Sequence, residues 1–208
     1  MFWLEVIGVI AFGICGAMAA MERGADLFGV LFLAVITALA GGVIRDMLLG
    51  WFPPRMFTSY AYVAIAVASA LLVFLDACIR REHYRQNRDK LDSVVNVFDA
   101  LGLGVFTVSG VQMAIDQYGM GNPFLLVLMG MTTGVGGGML RDVLIDAMPK
   151  VLRKRIYAVA SIVGAIGYYL LLRFGVDQTL STIIITVLIT ALRILATVFK
   201  WNMPQAKL

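Results

Sequence analysis

The sequence predicts an all-α integral membrane protein with seven transmembrane helices. Three observations carry this. Of its 208 residues 61% are hydrophobic and only 14% are charged, with a mean hydropathy of +0.89; a soluble domain is about half apolar and about a quarter charged. The apolar residues form continuous runs instead of alternating, which is the pattern of membrane helices and not of barrel strands. Finally, Gly41-Gly42-Val43-Ile44-Arg45-Asp46 returns as Gly137-Gly138-Met139-Leu140-Arg141-Asp142, so the helices form two related sets.

A span needs about 20 apolar residues to cross about 30 Å of hydrocarbon. The sequence offers seven, at 3–21, 27–49, 58–79, 94–116, 123–146, 154–173 and 178–200. The first begins almost at Met1, lacks a preceding basic region and carries Glu5, so it reads as a retained helix and not a signal peptide. Glu22 to Asp26 ends it, and Pro53-Pro54-Arg55 separates the second from the third. The longest polar stretch, Arg80 to Asp92, separates the third from the fourth and is read as a loop, too short for a soluble domain. Gly119 to Pro123 divides the fourth from the fifth, Pro149 to Arg155 precedes the sixth, and Gly175-Val176-Asp177 precedes the seventh.

Basic residues set the orientation. Arg23, Arg80, Arg81, Arg85, Arg88, Lys90, Lys150, Arg153, Lys154, Arg155, Lys200 and Lys207 fall on one side, against Arg55 and Arg173 on the other. Cytoplasmic loops carry the excess of Lys and Arg, which places the N-terminus outside and the C-terminus in the cytoplasm of a cell inner (plasma) membrane. The same clustering accounts for the net charge of +4 without nucleic acid. Asp76 and Arg193 sit near span ends, where a snorkelling side chain suffices, and Asp116 and Gln117 read as solvated.

The repeat extends past the motif. Glu5, Gly8, Phe12 and Gly16 of the first span recur 94 positions later as Asp99, Gly102, Phe106 and Gly110. Thr37, Gly41 and Pro53 recur 96 positions later as Thr133, Gly137 and Pro149. A unit of three spans is odd, so its second copy enters from the opposite face, as in inverted-topology repeats. The chain then divides into a first three-helix repeat (1–79), a basic cytoplasmic loop (80–93), a second, inverted repeat (94–175), and a seventh helix with a short C-terminal tail (176–208).

Span five carries Gly134, Gly136, Gly137 and Gly138 within five residues. Each glycine costs a helix about 1 kcal/mol against alanine, so the second and fifth helices are expected to break at Gly41-Gly42 and at this run. Freed carbonyls and amides at membrane depth are tolerated only beside a wet cavity or protein partners. Such a break, with hydroxyls from Thr37, Thr107, Ser109, Thr132 and Thr133 near its level, would line a path for something polar. Arg45-Asp46 and Arg141-Asp142 read either as a polar gate or as structural ion pairs near the membrane surface. The topology pairs Glu5 with Arg45 at the outer side and Asp99 with Arg141 at the inner side. Cys15 and Cys78 both fall in apolar segments and read as small core residues. No metal-ligand spacing, nucleotide loop or nucleophile–base pair appears, so neither a metal, a cofactor nor an enzyme activity is expected.

These residues resemble a known family. The paired Gly-Gly-x-x-Arg-Asp motifs, the run Thr133 to Asp142 and Asp99-Ala-Leu-Gly102-Leu are similar to the prokaryotic trimeric intracellular cation (TRIC) channels, which overlap a UPF0126-type bacterial membrane family described as glycine transporters. The resemblance covers Glu5 to Lys200. It implies a homotrimer in the lipid bilayer, with an hourglass pore in each protomer lined by the first, second, fourth and fifth helices and passing potassium and also sodium. Animal members carry a pore lysine in the fifth helix. Met129, Gly130, Met131 and Thr132 stand there instead, so lysine-based gating does not carry over, and no long basic tail is present for lipid regulation. An inverted repeat is equally the architecture of alternating access, which leaves a secondary transporter of glycine or another small zwitterion as the alternative. A structural membrane subunit is a third.

Overall fold

The structure is a computed structural model that describes residues 2–153, 156–199 and 201. Lys154, Arg155, Lys200 and Lys207 of the orientation count lie outside the described residues, as do the side chains of Arg85, Arg88, Lys90 and Arg153.

Seven principal helices follow one another: α1 (Phe2–Glu22), α2 (Leu27–Leu48), α3 (Tyr60–Ile79), α4 (Arg88–Tyr118), α5 (Pro123–Leu144), α6 (Tyr157–Arg173) and α7 (Gln178–Val198). Six of them are long and apolar enough to cross a membrane, while α6 is apolar but has only 17 residues. Local chemistry sets their starts. Asp26, Asn122 and Asp177 accept from Gly29 N (2.8 Å), Leu125 N (3.1 Å) and Leu180 N (3.0 Å), which satisfies amides that the first helical turn leaves free. Gly119, at φ +69°, ends α4 in a conformation that side chains resist.

The stretch expected as a loop is helical instead. A short helix fills Arg81–Gln86, and α4 starts at Arg88, six residues ahead of the span read from hydropathy. Arg, Glu, Gln, Lys and Leu are good helix formers, and neither glycine nor proline occurs between Arg80 and Leu101, so nothing stops the helix at the membrane boundary.

The predicted glycine breaks are also absent. α2 runs unbroken through Gly41-Gly42, and α5 through Gly134, Gly136, Gly137 and Gly138. In hydrocarbon a broken helix loses backbone hydrogen bonds that no water replaces, which outweighs the modest propensity cost of glycine. Here the glycines serve close approach. A methyl group on Gly41 would collide with the Thr133 carbonyl oxygen, and one on Gly137 with the Thr37 carbonyl oxygen. Small residues at a crossing let two membrane helices meet backbone to backbone.

Four helices, α1, α2, α4 and α5, form the centre. Phe12 of α1 occupies the space over Gly102 of α4, Phe106 of α4 lies over Gly8 of α1, and the two rings meet at 5.2 Å. Gly16 faces Thr37, and Gly110 faces Thr133, in the same reciprocal sense. Outside this core α3 leans on α1 and α2, α6 leans on α4 and α5, and α7 covers α4 and α6. The outward faces stay apolar and exposed, with Phe28, Leu72, Ile79, Val187 and Val198 among them. A solvated protein would not expose so much apolar surface, whereas lipid accepts it.

Candidate functional site

Each repeat of the motif builds a buried polar cluster, one at either end of the core. Glu5 and Glu22 stand 17 residues apart along α1, which at 1.5 Å per residue separates the two ends by about 25 Å.

At the end marked by Glu5, Arg45 turns back on its neighbour. Its Nε and Nη2 donate to Asp46 Oδ1 at 2.9 and 2.6 Å, and Asp46 Oδ2 accepts the Arg55 amide at 2.9 Å. Arg55 lies over the Trp51 ring at 4.9 Å. Glu5 does not take Arg45 as its partner. It accepts from the Tyr62 hydroxyl at 2.6 Å and from Ser109 Oγ at 2.7 Å. Arg45 is already committed to Asp46, so neutral donors satisfy the buried carboxylate. Glu5 and Arg45 still border one cavity of about 50 Å³, with Val9, Gly42, Tyr62 and Phe106.

At the opposite end, marked by Asp99, the acid does meet the arginine. Arg141 Nη1 donates to Asp99 Oδ1 at 3.0 Å, and its Nε donates to Asp142 Oδ1 at 2.9 Å. Asp142 Oδ2 accepts the Lys150 amide at 2.8 Å, the counterpart of the Asp46–Arg55 contact. Lys150 Nζ stands 3.9 Å from Asp99 Oδ1, and Arg193 Nη2 of α7 stands 3.5 Å from Asp99 Oδ2. The Arg193 guanidinium lies 4.4 Å over the Tyr157 ring. Arg141, Asp142 and Lys150 border a cavity of about 450 Å³ that also meets Glu22, Arg23 and Asp92. A neighbouring cavity of about 510 Å³ shares Glu22, Arg23 and Asp92 and extends to Arg81 and Tyr84.

Four of the five hydroxyls read as pore-lining, those of Thr37, Thr107, Ser109 and Thr133, have protein partners here. Thr37 and Thr133 each donate to the carbonyl four residues back, Leu33 and Met129, both at 2.6 Å. Thr107 pairs with Ser161 at 2.7 Å. Thr132 is half-buried on α5. The glycines crowd the same level. A methyl group on Gly134 would lie 2.5 Å from Thr107 Oγ1, and one on Gly136 3.1 Å from the Gly41 Cα. One on Gly138 would lie 3.0 Å from the Tyr157 hydroxyl, whereas Gly42 has room, its nearest neighbour being Arg45 Nη2 at 3.6 Å.

Sequence reasoning missed Tyr62, Tyr157, Ser161 and, above all, Arg193. Arg193 is not a snorkelling end residue: it is only 3% exposed. Its position was readable, since it follows Ile189 by four and Thr186 by seven residues on the buried face of α7. Tyr157 follows Tyr62 by 95 residues, within the spread of the repeat offsets. Among the described residues no group of three or more His, Cys, Asp or Glu is placed to hold a metal ion. Cys15 is buried and donates to the Val95 carbonyl at 3.1 Å, while Cys78 is exposed and also free.

The sequence pattern described as Glycine transporter matches residues 2–77 and 96–173. The chain belongs to the glycine transporter family. The two matched segments start 94 residues apart, the offset already seen between Glu5 and Asp99. This family member is 38% identical over 171 residues to a UPF0126 membrane protein of Deinococcus radiodurans, covering 81% of this chain and 75% of the relative. Its fold matches that of a solved TRIC cation channel with a TM-score of 0.84 and 33% identity, over 100% of this chain and 98% of the other. It likewise matches the TRIC orthologue from Rhodobacter sphaeroides with a TM-score of 0.85 and 29% identity, over 96% of this chain and 98% of that one.

Proposed function

We propose that this chain forms a channel for monovalent cations, potassium and also sodium, with one hourglass pathway through each protomer of a homotrimer. The observation that carries the proposal is the full-length likeness to a TRIC cation channel at 33% identity. The internal geometry supports it. Two cavities, bordered by Glu5 and Arg45 at one end and by Arg141 and Asp142 at the other, approach the core from opposite faces. Phe106 borders the cavity at the Glu5 end and packs against Phe12 with the rings tilted by 39°, so this aromatic pair is the apolar waist that must part for an ion to pass. Apolar constrictions gate by excluding water. The pathway is lined by α1, α2, α4 and α5.

The reciprocal contacts support two inverted three-helix repeats, residues 1–79 and 94–175, with α7 outside them. Gly41 meets Thr133 as Gly137 meets Thr37, and Phe12 meets Gly102 as Phe106 meets Gly8. Seven spans, an outer N-terminus and a cytoplasmic C-terminus in the cell inner membrane complete the reading. With no helix break, half-helix ends supply no ion ligands. The polar groups of the pathway are then the Arg–Asp clusters and hydroxyls that exchange their present partners.

The family description favours a second reading, transport of glycine by alternating access between the same two cavities. Purified protein in a planar bilayer under a potassium gradient separates them. Unitary potassium currents that need no glycine are expected. Saturable uptake of labelled glycine into liposomes with no unitary current would sink the channel reading.

A further inference from the structure

Arg193 is a resident cation on the inner acid. Asp99 is fully buried, and its two oxygens are treated differently. Oδ1 holds Arg141, whereas Oδ2 has no hydrogen-bond partner and faces Arg193 Nη2 across 3.5 Å. That distance is an ion pair without a formed hydrogen bond. Arg193 is seated chiefly by the Tyr157 ring, since its Nε is unpartnered. The Tyr157 hydroxyl and Arg141 Nη2 also lack hydrogen-bond partners, although Arg141 Nη2 lies 2.8 Å from Asp142 Oδ1. Three buried atoms of one cluster, Asp99 Oδ2, Arg193 Nε and the Tyr157 hydroxyl, thus make no hydrogen bond among the described residues, beside a cavity that Arg141 and Lys150 border.

The outer half lacks this element. Glu5, the counterpart of Asp99, has two neutral donors, and among the described residues it makes no ion pair. The asymmetry comes from α7, which has no partner in the other repeat. Immediately around the inner acid stand Arg141, Arg193 and Lys150 against Asp99 and Asp142, so the acidic lining of the inner cavity, with Glu22, Asp92 and Asp146 beside Arg23, gives way to a basic cluster at Asp99.

Resting on the channel reading, we propose that Arg193 is a tethered competitor for the permeating cation. It occupies the free oxygen of Asp99, makes the cytoplasmic end the rate-limiting constriction, and lets α7 control ion entry from that side. It is a positioning and specificity residue, not merely a stabilising one.

The test is single-channel recording of Arg193→Gln beside the unaltered protein. Removing the unit charge that faces Asp99 Oδ2 across 3.5 Å takes away a repulsion on the incoming ion, so unitary potassium conductance should rise severalfold. The rise should be larger for current leaving the cytoplasm than for current entering it. Arg193→Lys, which keeps the charge, should restore the original conductance and rectification. A folded Arg193→Gln protein of unchanged conductance, differing only in a lower melting temperature, would make Arg193 purely structural and overturn the proposal. Should Arg193→Gln fail to assemble, Tyr157→Leu removes the seat and leaves Asp99 and Arg141 intact. Raised conductance then supports the proposal, and unaltered conductance overturns it. An unaltered protein that passes no current at all removes the channel reading itself, an outcome distinct from either.

Discussion

A single methyl group distinguishes what the glycines do. At Gly41 and Gly137 it would run into the carbonyl oxygen of the facing helix, whereas at Gly42 it would make only an ordinary van der Waals contact with Arg45. Gly137→Ala and Gly41→Ala should therefore each destabilise the protein by about 1–3 kcal/mol, the usual cost of overpacking. Gly42→Ala should stay within about 0.5 kcal/mol, or gain slightly from better helix propensity. Thermal melts in detergent check the contrast, and equal losses at all three positions would rule out close approach to the facing carbonyls as their cause. The buried acid at the inner end offers a second test at this scale. Removing one partner of a buried ion pair costs about 3–5 kcal/mol, because the other charge is left uncompensated. Asp99→Asn and Arg141→Gln should each be severe, and together less than their sum. Strict additivity would show that Asp99 and Arg141 do not act as a pair. The corresponding cycle of Glu5 with Arg45 should be nearly additive, since Glu5 hydrogen-bonds to Tyr62 and Ser109 instead.

At the scale of helices, the α2–α5 crossing and the α1–α4 aromatic pair share one region of the core. Both are reciprocal: each helix of a pair offers a glycine to a bulkier group of the other. Thr37 and Thr133 give their hydroxyls to their own helices, which is a local bond that competes weakly and is readily exchanged. Opening of the waist needs Phe12 and Phe106 to separate. Phe106→Ala leaves a void beside Gly8 and should raise unitary potassium conductance or open probability while lowering the melting temperature, as large-to-small core changes do by about 3–5 kcal/mol. A destabilised variant with unaltered currents would place the gate elsewhere. The α3 and α6 helices touch this centre from outside, and α7 packs on α4 through Ile185, Ile189 and its threonines and brings Arg193 to the inner acid.

At the scale of the molecule, the claim most open to direct measurement is orientation. Gly121 lies between α4 and α5 with nothing within 4 Å of an added side chain, so a cysteine there should be harmless. In a Cys78→Ser background, a membrane-impermeant maleimide should label Gly121→Cys on intact cells or spheroplasts. Protection there, with labelling only in inverted vesicles, would reverse the reading from basic residues. Mass measurement of the detergent-solubilised protein should find three copies; a monomer would remove the trimer from the proposal.

Membership of the membrane class, the all-helical fold and the rough limits of the long apolar helices were legible in the chain, because hydropathy acts along the sequence and needs no partner. The polar residues of both clusters were legible for the same reason: Glu5, Arg45, Asp46, Asp99, Arg141 and Asp142 stand out against an apolar background. Their partners were not. Glu5 and Asp99 are equivalent in the repeat, yet one binds Tyr62 and Ser109 and the other binds Arg141 and Arg193, because the choice depends on which helices lie beside them. The glycine runs were misread for a related reason. Propensity counts the cost of glycine within a single helix, while the gain comes from a second helix approaching to backbone distance at Thr37 and Thr133. That gain exists only in three dimensions, as does the reach of α7 into the inner cluster, which breaks the equivalence the sequence appeared to promise.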